Sequence, residues 1–302
     1  MKHQHIKAFV QVADSGSIRA AARALHISQS ALTRSMKELE EDVGAELLNR
    51  SYRGVTFTDA GKALLARARH ILATMDRARD EVRQISGGAG AKIAIGITPV
   101  VATTVFPDIY RRFAHAFPDA QLTLKEGFMT EIVPGLLEGQ LDFGVAISTR
   151  DTLPTELSFK PLTQTRLLIS GRAGHPLANA TDWQALSKAR WILNMTNGST
   201  GHHLLHWLAE AGLPRPIHVV HCTSPTLMME MLRRTDLVGI GPDRLMVDPL
   251  SSCGVVPFGV QPHPPDATLG LFSVRGVPFT PAADRLRIWL ERAILAADQH
   301  TT

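Results

Sequence analysis

From Lys92 onward, short apolar strands alternate with helical patterns, and this alternation limits the fold more than any other feature of the chain. KIAIGI (92–97), QLTLKE (121–126) and LDFGVAI (141–147) read as strands, with helices around 101–116 and 131–139 between them. A second set follows: WILNM (191–195), a helix around 201–211, IHVVH (217–221), a helix around 225–234, and LVGIG (237–241). ATLGLFSV (267–274) and a helix from Pro281 close the chain. A helix between successive strands makes βαβ units, and hence parallel sheets. Two sets in series predict two α/β subdomains within residues 92–302, with FKPLTQTRLLIS (159–170) and TLGLFSV (268–274) as the strands that cross between them.

The first third has a different pattern. Ile6, Phe9, Val10 and Ala13 form one helical face, which Gly16 breaks. Ser17 is an N-cap for the alanine-rich IRAAARAL, Ser28 is the cap of the next helix, and Gly44 ends it. LLNRSYRGVTFT (47–58) alternates apolar and polar residues around a turn containing Gly54, as a two-stranded wing does. In residues 59–86, Leu64, Ala68, Ile71, Met75, Ala78, Val82 and Ile85 recur at alternating steps of four and three. Such a seam suits a partner helix, along a helix of roughly 40 Å at about 1.5 Å per residue; packing on its own domain is the blander alternative. GGAGAK (87–92) follows as a hinge, giving expected divisions at 1–58, 59–91 and 92–302.

The helix within HISQSALTRSMKELE (26–40) has two faces of different character. Ile27, Leu32, Leu39 and Val43 would face a core. Gln29, Ser30, Thr33, Arg34 and Lys37 cluster on another face, which is read as lacking a local acid to pair either cation. Charge points the same way. The net charge is +4, and residues 1–87 hold 14 Lys/Arg against 10 Asp/Glu, while residues 88–302 hold 18 of each. The positive excess therefore lies in the first third, where it favours a polyanionic partner.

GSIRAAARALHISQSALTRSMKELEEDVGAELLNRSYRGVTFTDAG (16–61) resembles the winged helix-turn-helix of LysR-type transcriptional regulators. FPDIYRRFAHAFPDAQLTL and LLEGQLDFGVAI resemble that family's effector domain, so the resemblance spans essentially the whole chain. It implies an N-terminal winged helix-turn-helix, a long linker helix, and a C-terminal effector domain of two α/β subdomains like a periplasmic binding protein. The second helix of such a motif lies in the major groove with its N-terminal residues at base edges. Ser28, Gln29, Ser30, Thr33, Arg34 and Lys37 are then the expected DNA contacts, with Arg50 and Arg53 of the wing reaching the backbone. Gln29 can pair with adenine and Arg34 with guanine or a phosphate. The family often has proline where this chain has Ser30.

The resemblance also places a small-molecule effector between the lobes. Its expected contacts are Thr98, Pro99 and Val100; Phe128, Met129 and Thr130; Ala146 and Ile147; and Thr196, Asn197, Ser199 and Thr200. Two of these stretches precede helices and offer amides and hydroxyls, which suits a small organic anion. Capping by Thr98 and Ser199 is the plainer role. The implied partners are double-stranded promoter DNA, the effector, and a second copy of the chain in a homodimer through the linker helix that assembles into a tetramer, with RNA polymerase a further candidate.

Other chemistry is poorly supported. His202 and His206 have the i, i+4 spacing of zinc ligands, but no acid lies within HHLLH, and no metal or cofactor is expected. Trp183, Trp191, Trp207 and Trp289 lie among apolar residues and read as core. No GxSxG, HExxH or Walker A pattern is present, so an enzyme is not expected. MKHQHIKAFV lacks a signal-peptide pattern, no apolar run would span a membrane, and Cys222 and Cys253 have no CxxC spacing. A cytoplasmic protein is expected, and a secreted solute-binding protein is disfavoured.

Overall fold

The computed structural model describes residues 1–51, 54–85, 90–148, 153–247 and 253–299. The chain divides into two compact units, one of Met1–Gly88 with Leu137–Gln140, the other of Ala89–Leu136 with Leu141–Thr302.

The first unit comprises α1 (His3–Ser15), α2 (Ile18–Ala24), α3 (Gln29–Val43), the strands β1 (Leu48–Ser51) and β2 (Gly54–Phe57), and α4 (Asp59–Ile85). Gly16 closes α1 at φ 66°, and the Ser17 hydroxyl then accepts the Ala20 amide to start α2. The buried face of α1 is His5, Ile6, Phe9 and Val12; Val10 and Ala13 lie at its margin. Ser28 caps α3 through the Ala31 amide at 3.1 Å, and Gly44 ends it at φ 69°. The core side of α3 is Leu32, Met36 and Leu39, with Val43 packed beside them. Ile27 does not join this face and is 41% exposed. It precedes the cap, so helical spacing does not apply to it.

The wing is antiparallel, with Leu48 opposite Phe57 and Ser51 opposite Gly54. Its base is held by α3: one Glu40 carboxylate oxygen accepts the Leu47 and Leu48 amides at 2.8 and 3.2 Å. Thr58 caps α4 through the Gly61 amide. Gly61 itself sits against the wing base, and a Cβ there would lie 2.1 Å from the Leu47 carbonyl oxygen. Along α4 the seam divides. Ala68 is buried, and Leu64 and Ile71 pack against the same core as Phe9 and Leu39. Met75 is half-buried, whereas Ala78 and Val82 are exposed; the Ile85 side chain lies outside the described set.

The second unit has two five-stranded sheets. The first contains β3 (Lys92–Ile97), β4 (Gln121–Glu126), β5 (Phe143–Ser148), β6 (Leu157–Thr165) and β12 (Ala267–Val274), in the order β4-β3-β5-β12-β6. The second contains β7 (Leu167–Arg172), β8 (Arg190–Leu193), β9 (His218–His221), β10 (Leu237–Pro242) and β11 (Val255–Pro257), in the order β11-β7-β10-β8-β9. Helices α5 (Pro99–Thr103), α6 (Phe106–Ala116), α7 (Met129–Leu137) and α12 (Pro281–Gln299) belong to the first lobe. Helices α8 (Trp183–Ser187), α9 (Thr200–Glu210), α10 (Pro225–Arg234) and α11 (Asp243–Val247) follow strands of the second.

Neither sheet is wholly parallel. β3 pairs in parallel with β4 and β5, and β8 with β9 and β10, as βαβ connections require. β12 and β7 run antiparallel to their neighbours, because they belong to the chain's passage between lobes rather than to βαβ units. Residues 159–170 are not one strand: the path breaks at Arg166, with β6 in one sheet and β7 in the other. Residues 268–274 lie entirely in the first sheet, so the return passage comes just before them. Trp183, Trp191 and Trp289 are buried, and the indole N–H groups of Trp183 and Trp191 donate to the carbonyls of Pro262 and Leu186.

Candidate functional site

The N-terminal half of α3 presents a polar surface. Gln29, Ser30, Arg34 and Lys37 are exposed and Thr33 is half-buried, on the side opposite Leu32, Met36 and Leu39. Ser28 and Ser30 share a hydrogen bond between hydroxyls at 3.0 Å, so Ser28 both caps the helix and orders its first turn. The two cations do have local acids, contrary to the sequence expectation. Arg34 Nε donates to Glu38 at 2.9 Å, and Lys37 Nζ lies 3.9 Å from Glu41. Four residues along an α-helix return to the same flank, which brings each acid beneath its cation. The bond from Arg34 holds the Glu38 carboxyl below its ordinary range. Arg50 lies in β1 opposite Val55, with its side chain outside the described set, and Arg53 lies outside the described residues.

A narrow cleft with a volume of about 70 Å³ opens between the lobes of the second unit. Thr98, Pro99, Val100, Phe128, Met129 and Ile147 line it from the first lobe, and Ser199 and Thr200 from the second. The second lobe adds residues that sequence reasoning missed: Asn194, Met228, Met229 and Leu232, with Leu245 and Met246. Their signal was faint, since a methionine on a helix reads as core. Thr130, Thr196 and Asn197 line an adjoining cavity that shares Met129 and Gly198 with the cleft. Ala146 lines neither cavity; it is fully buried in β5 opposite Gly270, because alternate residues of a strand face opposite sides.

The two hydroxyls expected to cap have different roles. Ser199 caps α9, accepting the His202 amide at 3.2 Å while donating to the Asn194 carbonyl. The amides of Thr200 and Gly201 have no acceptor among the described residues. Gly201 packs so closely on β8 that a Cβ would lie 2.4 Å from the Asn194 carbonyl oxygen. Thr98, by contrast, makes no side-chain cap, and its buried hydroxyl has no partner among the described residues. An unmet hydroxyl in an apolar wall is costly to keep, which makes it a candidate ligand contact. The start of α5 offers little else, because Pro99 has no N–H and the Thr98 amide is spent on Val145. Among the described residues no cluster of His, Cys, Asp and Glu could hold a metal. His206 pairs with Glu210 at 3.3 Å.

Both halves of this arrangement match known proteins. Residues 3–62 match the family model for the bacterial regulatory helix-turn-helix protein of the lysR family, and residues 86–294 match that for the LysR substrate binding domain. The chain belongs to the LysR family of transcriptional regulators. It is a LysR-type DNA-binding regulator with a substrate-binding domain. The HTH-type transcriptional regulator TdcA of Escherichia coli K12 is 28% identical to this LysR-type regulator over 212 residues, covering 70% of this chain and 68% of TdcA. Full-length CbnR in complex with its target DNA superposes at a TM-score of 0.64, with 23% identity over 97% of this chain and 100% of that one. LysG of Corynebacterium glutamicum, with its effector Arg bound, superposes at 0.64, with 22% identity over 98% and 99% of the two chains. No described helix of this LysR-type regulator is long and apolar enough to cross a membrane.

Proposed function

We propose that this regulator reads promoter DNA through the exposed N-terminal half of α3 and answers to a small organic anion held between its lobes. The observation that carries the first part is the exposed run Gln29, Ser30, Arg34 and Lys37 beside a Ser28 cap, opposite a buried Leu32–Met36–Leu39 face. Gln29 and Arg34 have the chemistry of adenine and guanine readers, and Ser30, Lys37, Arg50 and Arg53 that of phosphate contacts. CbnR, a protein of the same fold, has been seen with its target DNA. The regulator acts in the cytoplasm as a homodimer paired through the exposed second half of the α4 seam. It assembles further into tetramers, with RNA polymerase as a further partner.

For the ligand, the cleft lies between two α/β lobes and is lined mainly by apolar side chains with a few polar groups, as small-molecule sites are. Val100, Phe128, Ile147 and Met228 provide an apolar wall. The Thr98 hydroxyl and the open amides at the start of α9, at the positive end of its dipole, provide a place for a carboxylate or sulfonate. Among the described residues no Lys or Arg lines the cleft, which disfavours a polyanion. The lobes close on the ligand as in a periplasmic binding protein, and the change in lobe geometry alters promoter contact. LysG, with the same fold, holds an effector.

The tests are separate. Selection from a random duplex library should yield a defined sequence bound in a salt-dependent way, and binding indifferent to sequence would overturn the DNA reading. Calorimetry with small acids and their matched amides should favour the acids. Equal binding of the neutral analogues would overturn the anion assignment.

A further inference from the structure

The second half of α3 carries four acids, Glu38, Glu40, Glu41 and Asp42, on a helix whose cations are Arg34 and Lys37. Three have evident local duties or loose ones. Glu40 holds the wing amides, Asp42 lies 3.3 Å from the amino group of Met1, and Glu41 stands 3.9 Å from Lys37. Glu38 alone joins a base-reading candidate to the core. One of its oxygens accepts Arg34 Nε at 2.9 Å; the other lies 3.3 Å from His5 Nε2 and 3.7 Å from Lys2 Nζ.

His5 explains why this carboxylate stays where it is. The imidazole is 6% exposed, and its Nδ1 has no partner among the described residues. Its contact with Glu38 is therefore the one polar contact that ring makes among the described residues. Swinging Glu38 away would leave both ring nitrogens unmet in the core, at the cost of burying unpaired polar groups. Arg34 is anchored at one nitrogen and open at the others. Its side chain is 82% exposed, and its two terminal nitrogens have no partner among the described residues. A guanidinium held at Nε presents its terminal pair as a fork, the shape that matches the O6 and N7 acceptors of guanine.

We propose that Glu38 is a positioning residue for sequence recognition: anchored on His5, it orients the Arg34 fork for end-on pairing with one guanine. This rests on the reading that Arg34 faces DNA. The charge of Glu38 has a second consequence. It offsets Arg34 in the free protein, which lowers what Arg34 gains from any nearby phosphate and so restrains binding to unrelated sequences. Orientation sharpens the choice of base, and neutralisation suppresses the competing sites.

The test compares base preference at each position, by selection from a random duplex library and sequencing, for the full-length wild type, Arg34→Ala, Glu38→Ala and Glu38→Gln. The double variant His5→Leu/Glu38→Ala removes the imidazole that Glu38→Ala would strand, so that loss of folding does not stand in for loss of recognition. Arg34→Ala should erase one guanine preference. Glu38→Ala and the double variant should weaken that same preference at least about fivefold, the low end for a bidentate arginine–guanine pair. Glu38→Gln, whose amide oxygen still accepts Nε–H, should keep the preference while binding unrelated duplexes more tightly. If Arg34→Ala erases the preference and folded Glu38→Ala retains it in full, the positioning role is wrong and the DNA reading stands. If Arg34→Ala changes neither preference nor affinity, the reading of Arg34 and the role of Glu38 fall together.

Discussion

Asn194, at the end of β8 in one lobe, donates its side-chain amide to the Thr130 hydroxyl of the other lobe at 3.4 Å. The same Asn194 accepts the Thr196 amide with its side-chain oxygen at 2.9 Å and receives the Ser199 hydroxyl on its carbonyl. One residue thus organises the turn before α9 and reaches across the cleft. Thr130→Val removes the acceptor while keeping the shape. Hydrogen exchange should become faster at Phe128–Glu131 and Thr196–Thr200, by about two- to tenfold for a net bond of about 0.5–1.5 kcal/mol. Unchanged exchange in both segments would show that the contact does not hold the lobes.

Thr98 and Ser199 should respond oppositely to removal of their hydroxyls. Ser199→Ala loses the α9 cap and should lower stability by about 1 kcal/mol. Thr98→Val replaces an unmet buried hydroxyl with a methyl and should leave the free protein as stable or up to about 1 kcal/mol more stable. Its cost should fall on ligand binding. Thermal melts of the two variants without ligand decide the matter, and a loss in Thr98→Val equal to that in Ser199→Ala would contradict the assignment.

Gly61→Ala should disturb the wing. Its Cβ would meet the Leu47 carbonyl oxygen at 2.1 Å, and a backbone atom cannot turn aside as a flexible side chain can. A cost of about 1–3 kcal/mol is expected, as for overpacking elsewhere. Denaturant melts measure it, and the salt dependence of DNA binding reports whether the wing still docks.

The Glu38 carboxyl should titrate below the ordinary carboxylate range, because Arg34 donates to its charged form. A carboxyl lowered by folding contributes stability above its unfolded pKa and loses it as the pH falls through the lowered value. Carboxyl carbon shifts followed by NMR should therefore show Glu38 still ionised at a pH where glutamate side chains without such a donor are protonated. Arg34→Ala should move it up towards them; no movement would place the cause elsewhere.

Ala78→Glu tests assembly through α4. Ala78 is exposed on the second half of the seam, so the charge should leave the fold of the protomer intact. Sedimentation should show a smaller species, since a charge buried at a helix contact without a partner is costly. Ile71 is unsuitable for this purpose, because it packs in the core of the first unit.

How much was legible in the sequence depended on the range of the interaction. Local signals held: Ser17, Ser28 and Gly44 act within one helical turn and sit where their chemistry requires. The strand–helix alternation likewise forced the βαβ units, because a parallel pair needs a crossover between its strands. Legible from spacing, yet overlooked, was the Arg34–Glu38 pair, which follows from helical geometry alone. What only the tertiary structure decided involves partners distant along the chain. The seam of α4 is periodic throughout, but its first half packs against the core around Phe9 and Leu39 and its second half does not; the period is the same in both cases. The cleft is similar. Thr98 and Ser199 look alike in sequence, both small hydroxyls before a helix. Ser199 is spent on the Asn194 carbonyl and a cap, whereas Thr98 points its hydroxyl where no described residue accepts or donates. Burial and hydrogen-bond satisfaction are properties of the packed neighbourhood, and no local pattern encodes them.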